Sequence, residues 1–414
     1  MSILGRQSVS NEKYEIFAYD ILYRSDNSDV NSTDLGFSAS SVAAVLNDFG
    51  SENVIGTYKG FIRVDTQFLS EDIIYSISKE QFVLMILQSS LLDEELPQKL
   101  NELTLEGYTF GLNDAVVNEE TLGAIVSFID YVDSVKIDVL NSKTESVDKL
   151  IKILKLKKKT IIASKVETDE LYEEYKAKGA DYFQGFYIKR PNIIETTSFN
   201  ASQEQVLQIW NLLQNDAVTK EVVASFENNH ALTLKLMQFI NSSFFSFRTQ
   251  ISSVAQIVNL LGRNTLSNWL LLFMLSGKNK NAPTNHPLLL MIINRTEIML
   301  GLLKLVKPDA SQSERDTAYL VGMLSLIHLL FEIEHREFLH KLRVTDEVEE
   351  AMFEATGFFG KLLILTRYVE NADTTQINEF IKQYNIDVDD MNSLIAQAMI
   401  RVNLFDEIIQ DGFK

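Results

Sequence analysis

The chain has 414 residues, 46% of them hydrophobic and 23% charged, with a formal net charge of −19. That length exceeds one compact core and predicts two domains, and the composition excludes long disorder. The acidic balance excludes most of the surface as a nucleic-acid face, and the absence of cysteine excludes a disulfide framework and thiolate zinc sites.

In chain order, the first residues, Met1 to Gln7, lack the apolar core of a secretory signal, and polar residues interrupt every later apolar run before it spans a bilayer. A cytoplasmic protein without membrane insertion is the expectation. From Tyr14 to about Pro191, short β-rich runs alternate with helical stretches. Residues 14–24, 60–65, 81–87, 107–113, 133–138, 160–166 and 181–188 read as strands. Residues 41–49, 120–131, 146–156 and 169–178 have the 3.6-residue spacing of crossover helices. This alternation predicts a parallel sheet or a (β/α) barrel. The basic run Lys155 to Lys159, broken by Leu156, reads as the solvated end of a helix, since nothing aromatic is interleaved with it.

Around Pro191 the rhythm stops, and residues 192–202 read as a connector. The expected domains are residues 1–195 and 196–414. Beyond the connector, residues 203–213, 231–240, 254–261, 266–275, 288–306, 318–330, 346–353, 359–368 and 391–409 show helical spacing with few β-type runs. The fold class read from the chain is therefore α/β followed by all-α.

The run Tyr19-Asp20-Ile21-Leu22-Tyr23-Arg24 is followed in order by Gly107-Tyr108 through Leu112-Asn113-Asp114, Val135-Lys136-Ile137-Asp138, Ala163-Ser164-Lys165-Val166-Glu167-Thr168, and Asp181-Tyr182-Phe183-Gln184-Gly185-Phe186. This ordered set resembles the EAL family of cyclic-diguanylate phosphodiesterases. The resemblance implies an EAL-type modified TIM (β/α) barrel with its chemistry at the strand ends. It also implies, for active members, a magnesium or manganese pair held by oxygen ligands that activates water.

Measured against that implied site, this sequence departs at several positions. Asp20 stands for the first glutamate. Arg63 stands for a ligand asparagine, and a guanidinium cannot ligate a cation. Met85 stands for a ligand glutamate and offers a soft thioether. Asn113 lacks the charge of the aspartate implied there, and Ser164 replaces the implied general base. Asp114, Lys136, Asp138, Glu167 and Gln184 keep the family's residue types. The resemblance therefore implies no catalytic residue, no bound metal and no cofactor in this chain. Arg63 has two readings: it pairs with Asp20 and Asp114 as a salt-bridge plug, or it reaches out to solvent.

In the second half, the run from Ala231 to Ser243 and the run from Ile251 to Gly262 resemble the HDOD domain, whose relatives bind metal through a His-Asp pair. No such dipeptide occurs in this chain. His335 and His340, with Glu332 and Glu337, have a spacing that puts the two histidines off a common helix face, so a solvated helix is preferred to a metal cluster. Taken together, the two resemblances imply an inactive signalling scaffold that binds protein partners, in a response such as motility or biofilm formation. The alternative is a receptor that binds cyclic diguanylate without cutting it, through Arg24, Asp114 and Gln184. Residual phosphodiesterase activity ranks last, and self-association is compatible with each reading.

Overall fold

The computed structural model describes residues 2–25 except 14, residue 46, residues 50–185, 201–229 except 216, residues 232, 233 and 236, and residues 253–276, 287–331, 335, 336, 339 and 344–412 except 372. The expected helices at 41–49 and 231–240 lie outside the described residues, apart from residues 46, 232, 233 and 236. The end of the strand expected at 181–188 and the connector expected at 192–202, apart from residues 201 and 202, lie outside the described residues as well.

The N-terminal region is a closed eight-stranded barrel in sequence order. Its strands are β1 (Ser2–Ser10), β2 (Ile16–Ser25), β3 (Lys59–Val64), β4 (Phe82–Leu87), β5 (Thr109–Ala115), β6 (Ser134–Asp138), β7 (Thr160–Ser164) and β8 (Tyr182–Phe183). From β2 to β8 neighbouring strands are parallel, whereas β1 runs antiparallel to both β2 and β8. A parallel step needs a crossover, and the helices Leu96–Leu105, Leu122–Phe128, Thr144–Leu156 and Asp169–Lys178 supply several of them. The antiparallel β1 needs only the short turn from Asn11 to Glu15, where the Asn11 side chain accepts from the backbone N–H groups of Lys13 and Glu15.

Side chains alternate between the two faces of a strand, so one parity on each strand faces the barrel interior. Val9, Ala18, Phe61, Met85 and Ile162 form a buried apolar cluster at one level of that interior. Two residues further along their strands, with the same parity, come Asp20, Arg63 and Ser164. The barrel thus carries an apolar floor directly beneath a polar mouth.

The C-terminal part is helical: Ala201–Gln214, Thr219–Glu227, Val254–Ser276, Pro287–Val306, Gln312–Phe331, Asp346–Phe353, Gly357–Glu370, Thr374–Tyr384 and Val388–Gly412. Trp210, Phe226, Ile257, Leu270, Ile292, Met299 and Leu324 are among its buried residues. The two helices expected at 254–261 and 266–275 form one segment broken at Gly262, whose φ of 76° suits a residue without Cβ. Thr219–Glu227 and Thr374–Tyr384 are helices that the sequence reading did not name; their buried residues are Val222 and Phe226, and Ile377 and Ile381. By compactness the chain forms two units, Met1–Lys189 with Arg367–Ile400, and Arg190–Thr366 with Arg401–Lys414. Among the described residues no helix is long and apolar enough to cross a membrane.

Candidate functional site

The barrel mouth gathers side chains from six strands. Asp20 on β2 is fully buried, and its Oδ2 accepts from Lys136 Nζ at 2.5 Å, Gln184 Nε2 at 2.9 Å and Arg63 at 3.2 Å. Lys136 on β6 also lies 3.3 Å from Asp114 Oδ1, and Arg63 on β3 lies 3.8 Å from Asp114 Oδ2. Two carboxylates are therefore matched by two cations. Of the two sequence readings of Arg63, the structure has the salt-bridge plug, with the Arg63 side chain 17% exposed.

Asn113 and Asp114 are consecutive, and in a regular strand they face opposite sides. Here the pairing of β5 with β6 shifts register between Leu112 and Ala115, and Asp114 takes a φ of 40°. This irregularity turns both side chains toward one cluster. Asn113 Nδ2 donates to Asp114 Oδ2 at 3.2 Å, and Lys136 Nζ lies 3.4 Å from Asn113 Oδ1. Ser164 Oγ lies 2.6 Å from Asp114 Oδ1 and 3.0 Å from the Ile137 carbonyl oxygen, so its one proton is held between two acceptors. Gln184 also donates to Gln7 Oε1 at 3.1 Å, which ties β1 into the mouth.

Burial alone drives the Asp20 carboxyl upward, but the charges of Lys136 and Arg63 and the hydrogen bonds from Lys136 and Gln184 outweigh it and lower its pKa to about 2. Asp114 is shifted the same way: burial and the nearby Asp20 raise it, while Lys136, Arg63 and the Ser164 hydroxyl lower it further. Both groups are held as carboxylates.

Not every residue read from the sequence joins this cluster. Asp138 accepts from Lys165 Nζ at 2.6 Å, Asn141 Nδ2 at 2.8 Å, and the backbone N–H groups of Leu140 and Asn141, so its oxygens organise the loop after β6. Glu167 is exposed on the loop after β7. Met85 is buried in the apolar floor. Arg24 lies in β2 opposite Ile3, and its side chain is outside the described residues. Sequence reasoning missed Gln7, Asn141 and Lys165. Lys165 stands inside a quoted motif, but its pairing with Asp138 depends on its left-handed φ of 59°, which no sequence spacing reveals.

A divalent pair requires several hard oxygen ligands that are free to coordinate. Here Asp20 Oδ2 receives three donors, Arg63 and Lys136 bring like charge to the place a cation needs, and Met85 offers no oxygen. The residues present do not fit the metal pair that the EAL resemblance implies. One oxygen stands apart: Asp20 Oδ1 is buried and has no hydrogen-bond partner among the described residues.

In the helical part, His335 Nε2 lies 3.1 Å from the Leu324 carbonyl oxygen, and its ring meets the Phe353 ring edge-on at 5.1 Å. A carbonyl accepts, so this nitrogen donates, and the half-buried ring packs on Phe353. Glu332, Glu337 and His340 lie outside the described residues.

The fold and its mouth define a chain with an N-terminal EAL-like barrel followed in sequence by a helical region. Residues 201–348 match the HDOD domain. The chain is 26% identical over 388 residues to YuxH of Bacillus subtilis (strain 168), spanning 92% of this chain and 93% of that protein. It is 22% identical over 402 residues to the cyclic di-GMP phosphodiesterase CdgJ of Vibrio cholerae serotype O1, spanning 95% of this chain and 91% of that protein. The crystal structure of the EAL domain of Mycobacterium smegmatis DcpA matches at 20% identity and a TM-score of 0.36, covering 45% of this chain and 91% of that domain. The chain carries an HDOD domain, and its N-terminal region resembles the EAL domains of cyclic di-GMP phosphodiesterases.

Proposed function

We propose that this chain works in cyclic di-GMP signalling as a non-catalytic protein, with a barrel domain over residues 1–195 and a helical HDOD domain over residues 196–414. The observation that carries this reading is the pairing of Asp20 and Asp114 with Arg63 and Lys136. Phosphodiester hydrolysis of the metal-assisted kind needs a cation to polarise the phosphate and a base to deprotonate water. In this mouth the carboxylates already have cations built from the chain, and Ser164 holds its proton between Asp114 and Ile137. The output of such a protein is an interaction with other proteins in the cytoplasm, and both domains remain available for it.

A receptor role for intact cyclic di-GMP is the second reading, supported by Arg63 and Lys136 as cations that a phosphate can address. Against it, both are paired to carboxylates, and Asp114 and Gln184, the nucleotide contacts expected from the sequence, are engaged within the cluster. Calorimetric titration of cyclic di-GMP into the full chain, with and without magnesium, separates the two. The scaffold reading predicts no saturable heat. Saturable heat with the nucleotide recovered uncut overturns it in favour of the receptor.

A further inference from the structure

Residues 144–159 stand apart from the rest of the chain in charge. They hold six lysines against two carboxylates, Glu145 and Asp148, whereas the whole chain carries −19. The helix Thr144–Leu156 buries Val147, Leu150, Ile151 and Leu154. On its outer face Lys149, Lys152 and Leu156 are exposed, and their i, i+3, i+7 spacing sets them in one row. Leu156, at the end of that row, is 84% exposed. The turn that follows adds the exposed Lys157 and Lys158, so the row runs into the basic run Lys155 to Lys159 as one patch.

Much of this charge is uncompensated. Lys157 pairs with Asp130 at 2.5 Å, and Lys159 acts on the same carboxylate. Lys155 Nζ donates to the Lys178 carbonyl oxygen at 2.6 Å, at the end of the helix Asp169–Lys178, where a cation suits the helix dipole. Lys149, Lys152 and Lys158 have no ion-pair partner among the described residues. A helix dipole favours cations in the last turn. It gives no reason for Lys149 and Lys152 in the middle turns, nor for a leucine in water beside them.

The composition of the patch selects among anionic surfaces. Residues 144–159 contain no arginine and no aromatic residue. Forked phosphate recognition in nucleic acids relies on arginine, and single strands rely on stacking rings. Protein interfaces are enriched in arginine and aromatic residues and depleted in lysine. Point charges on flexible stems around one aliphatic side chain suit a diffuse anionic surface with an apolar interior.

We propose that the outer face of Thr144–Leu156 and the turn after it adsorb to bilayers containing anionic phospholipid, with Leu156 entering the interfacial layer and the lysines beside the headgroups. The acidic remainder of the chain is repelled by such a surface, but the repulsion is screened beyond about 10 Å at physiological salt, so it serves to turn this face toward the lipid. Adsorption here does not depend on whether the barrel mouth cuts nucleotide. It is reversible, because a few lysines and one leucine hold less firmly than a lipid anchor with a second signal.

The test is sedimentation of the full chain with vesicles of phosphatidylcholine alone or with about a third phosphatidylglycerol, at low salt. Wild type pellets with the anionic vesicles only, and about 0.5 M sodium chloride releases it. The K149Q/K152Q/K158Q variant partitions about a hundredfold more weakly, and L156S about tenfold more weakly. K220Q/K304Q/K361Q, which makes the same change in net charge at exposed lysines elsewhere, binds as wild type does. Wild type left in the supernatant with anionic vesicles overturns the proposal, and so do equal losses in the two triple variants. Binding to polyglutamate or duplex DNA without binding to the vesicles overturns it in favour of an acidic protein or a nucleic acid. Should circular dichroism show the first triple variant unfolded, L156S decides, and undiminished binding by folded L156S overturns the proposal.

Discussion

Asp20 shows how one buried charge sets the behaviour of the mouth. Its folded pKa, about 2, lies below the ordinary 3.8, so the stabilisation is fully present above pH 3.8 and is lost as pH falls through about 2. A shift of this size corresponds to about 2 kcal/mol, and Asp114 adds to it with the same sign. The urea midpoint of the barrel is therefore expected to fall between pH 4 and pH 2, which circular dichroism follows directly. Lys136 supplies much of that effect, with a side chain 1% exposed. Lys136→Met leaves the buried Asp20 and the half-buried Asp114 sharing Arg63, and a loss of about 3–5 kcal/mol at neutral pH is expected. The same variant shows a shallower acid dependence, because its carboxylates are held less far below their ordinary range. A Lys136→Met variant as stable as wild type, with an unchanged acid slope, contradicts this account of the cluster.

At the scale of the strands, the packing of β4 against β5 turns on a register pair, Met85 and Gly111. A Cβ added at Gly111 meets Met85 Sδ at 2.6 Å and Ser134 Oγ at 2.5 Å. Gly111→Ala is expected to cost about 1–3 kcal/mol through overpacking. Met85→Ala opens a cavity and costs about 2–5 kcal/mol alone. Together they cost less than their sum, since the smaller residue at 85 makes room for the new methyl, and a double-mutant cycle by urea unfolding measures the difference. Additive costs contradict the contact.

Most strands were legible because their β-rich runs alternate with helical ones; the strand Ser2–Ser10 was not, because its apolar residues Ile3, Leu4 and Val9 are sparse and it pairs antiparallel without a crossover. The identities of the mouth residues were legible from motif order. The pairing of Arg63 with Asp20 and Asp114 was one of two readings, and the other partners were not legible. The joint orientation of Asn113 and Asp114 comes from a bulge, and the pairing of Asp138 with Lys165 goes with the left-handed φ of Lys165. Both are backbone events that spacing along the chain does not encode.

For the whole molecule, the matches to YuxH and CdgJ run over 92% and 95% of the chain, so they span both the barrel and the helical region. The proposed function holds that this chain does not hydrolyse the nucleotide. The most direct measurement is incubation of cyclic di-GMP with a molar excess of the full wild-type chain in manganese, followed by chromatography of the nucleotide. Excess protein makes even a single slow turnover visible. Intact cyclic di-GMP after long incubation is the predicted result. Linear dinucleotide formed in proportion to the protein, and lost in an Asp20→Ala variant, contradicts the claim that Arg63 and Lys136 have taken over the charge of the mouth.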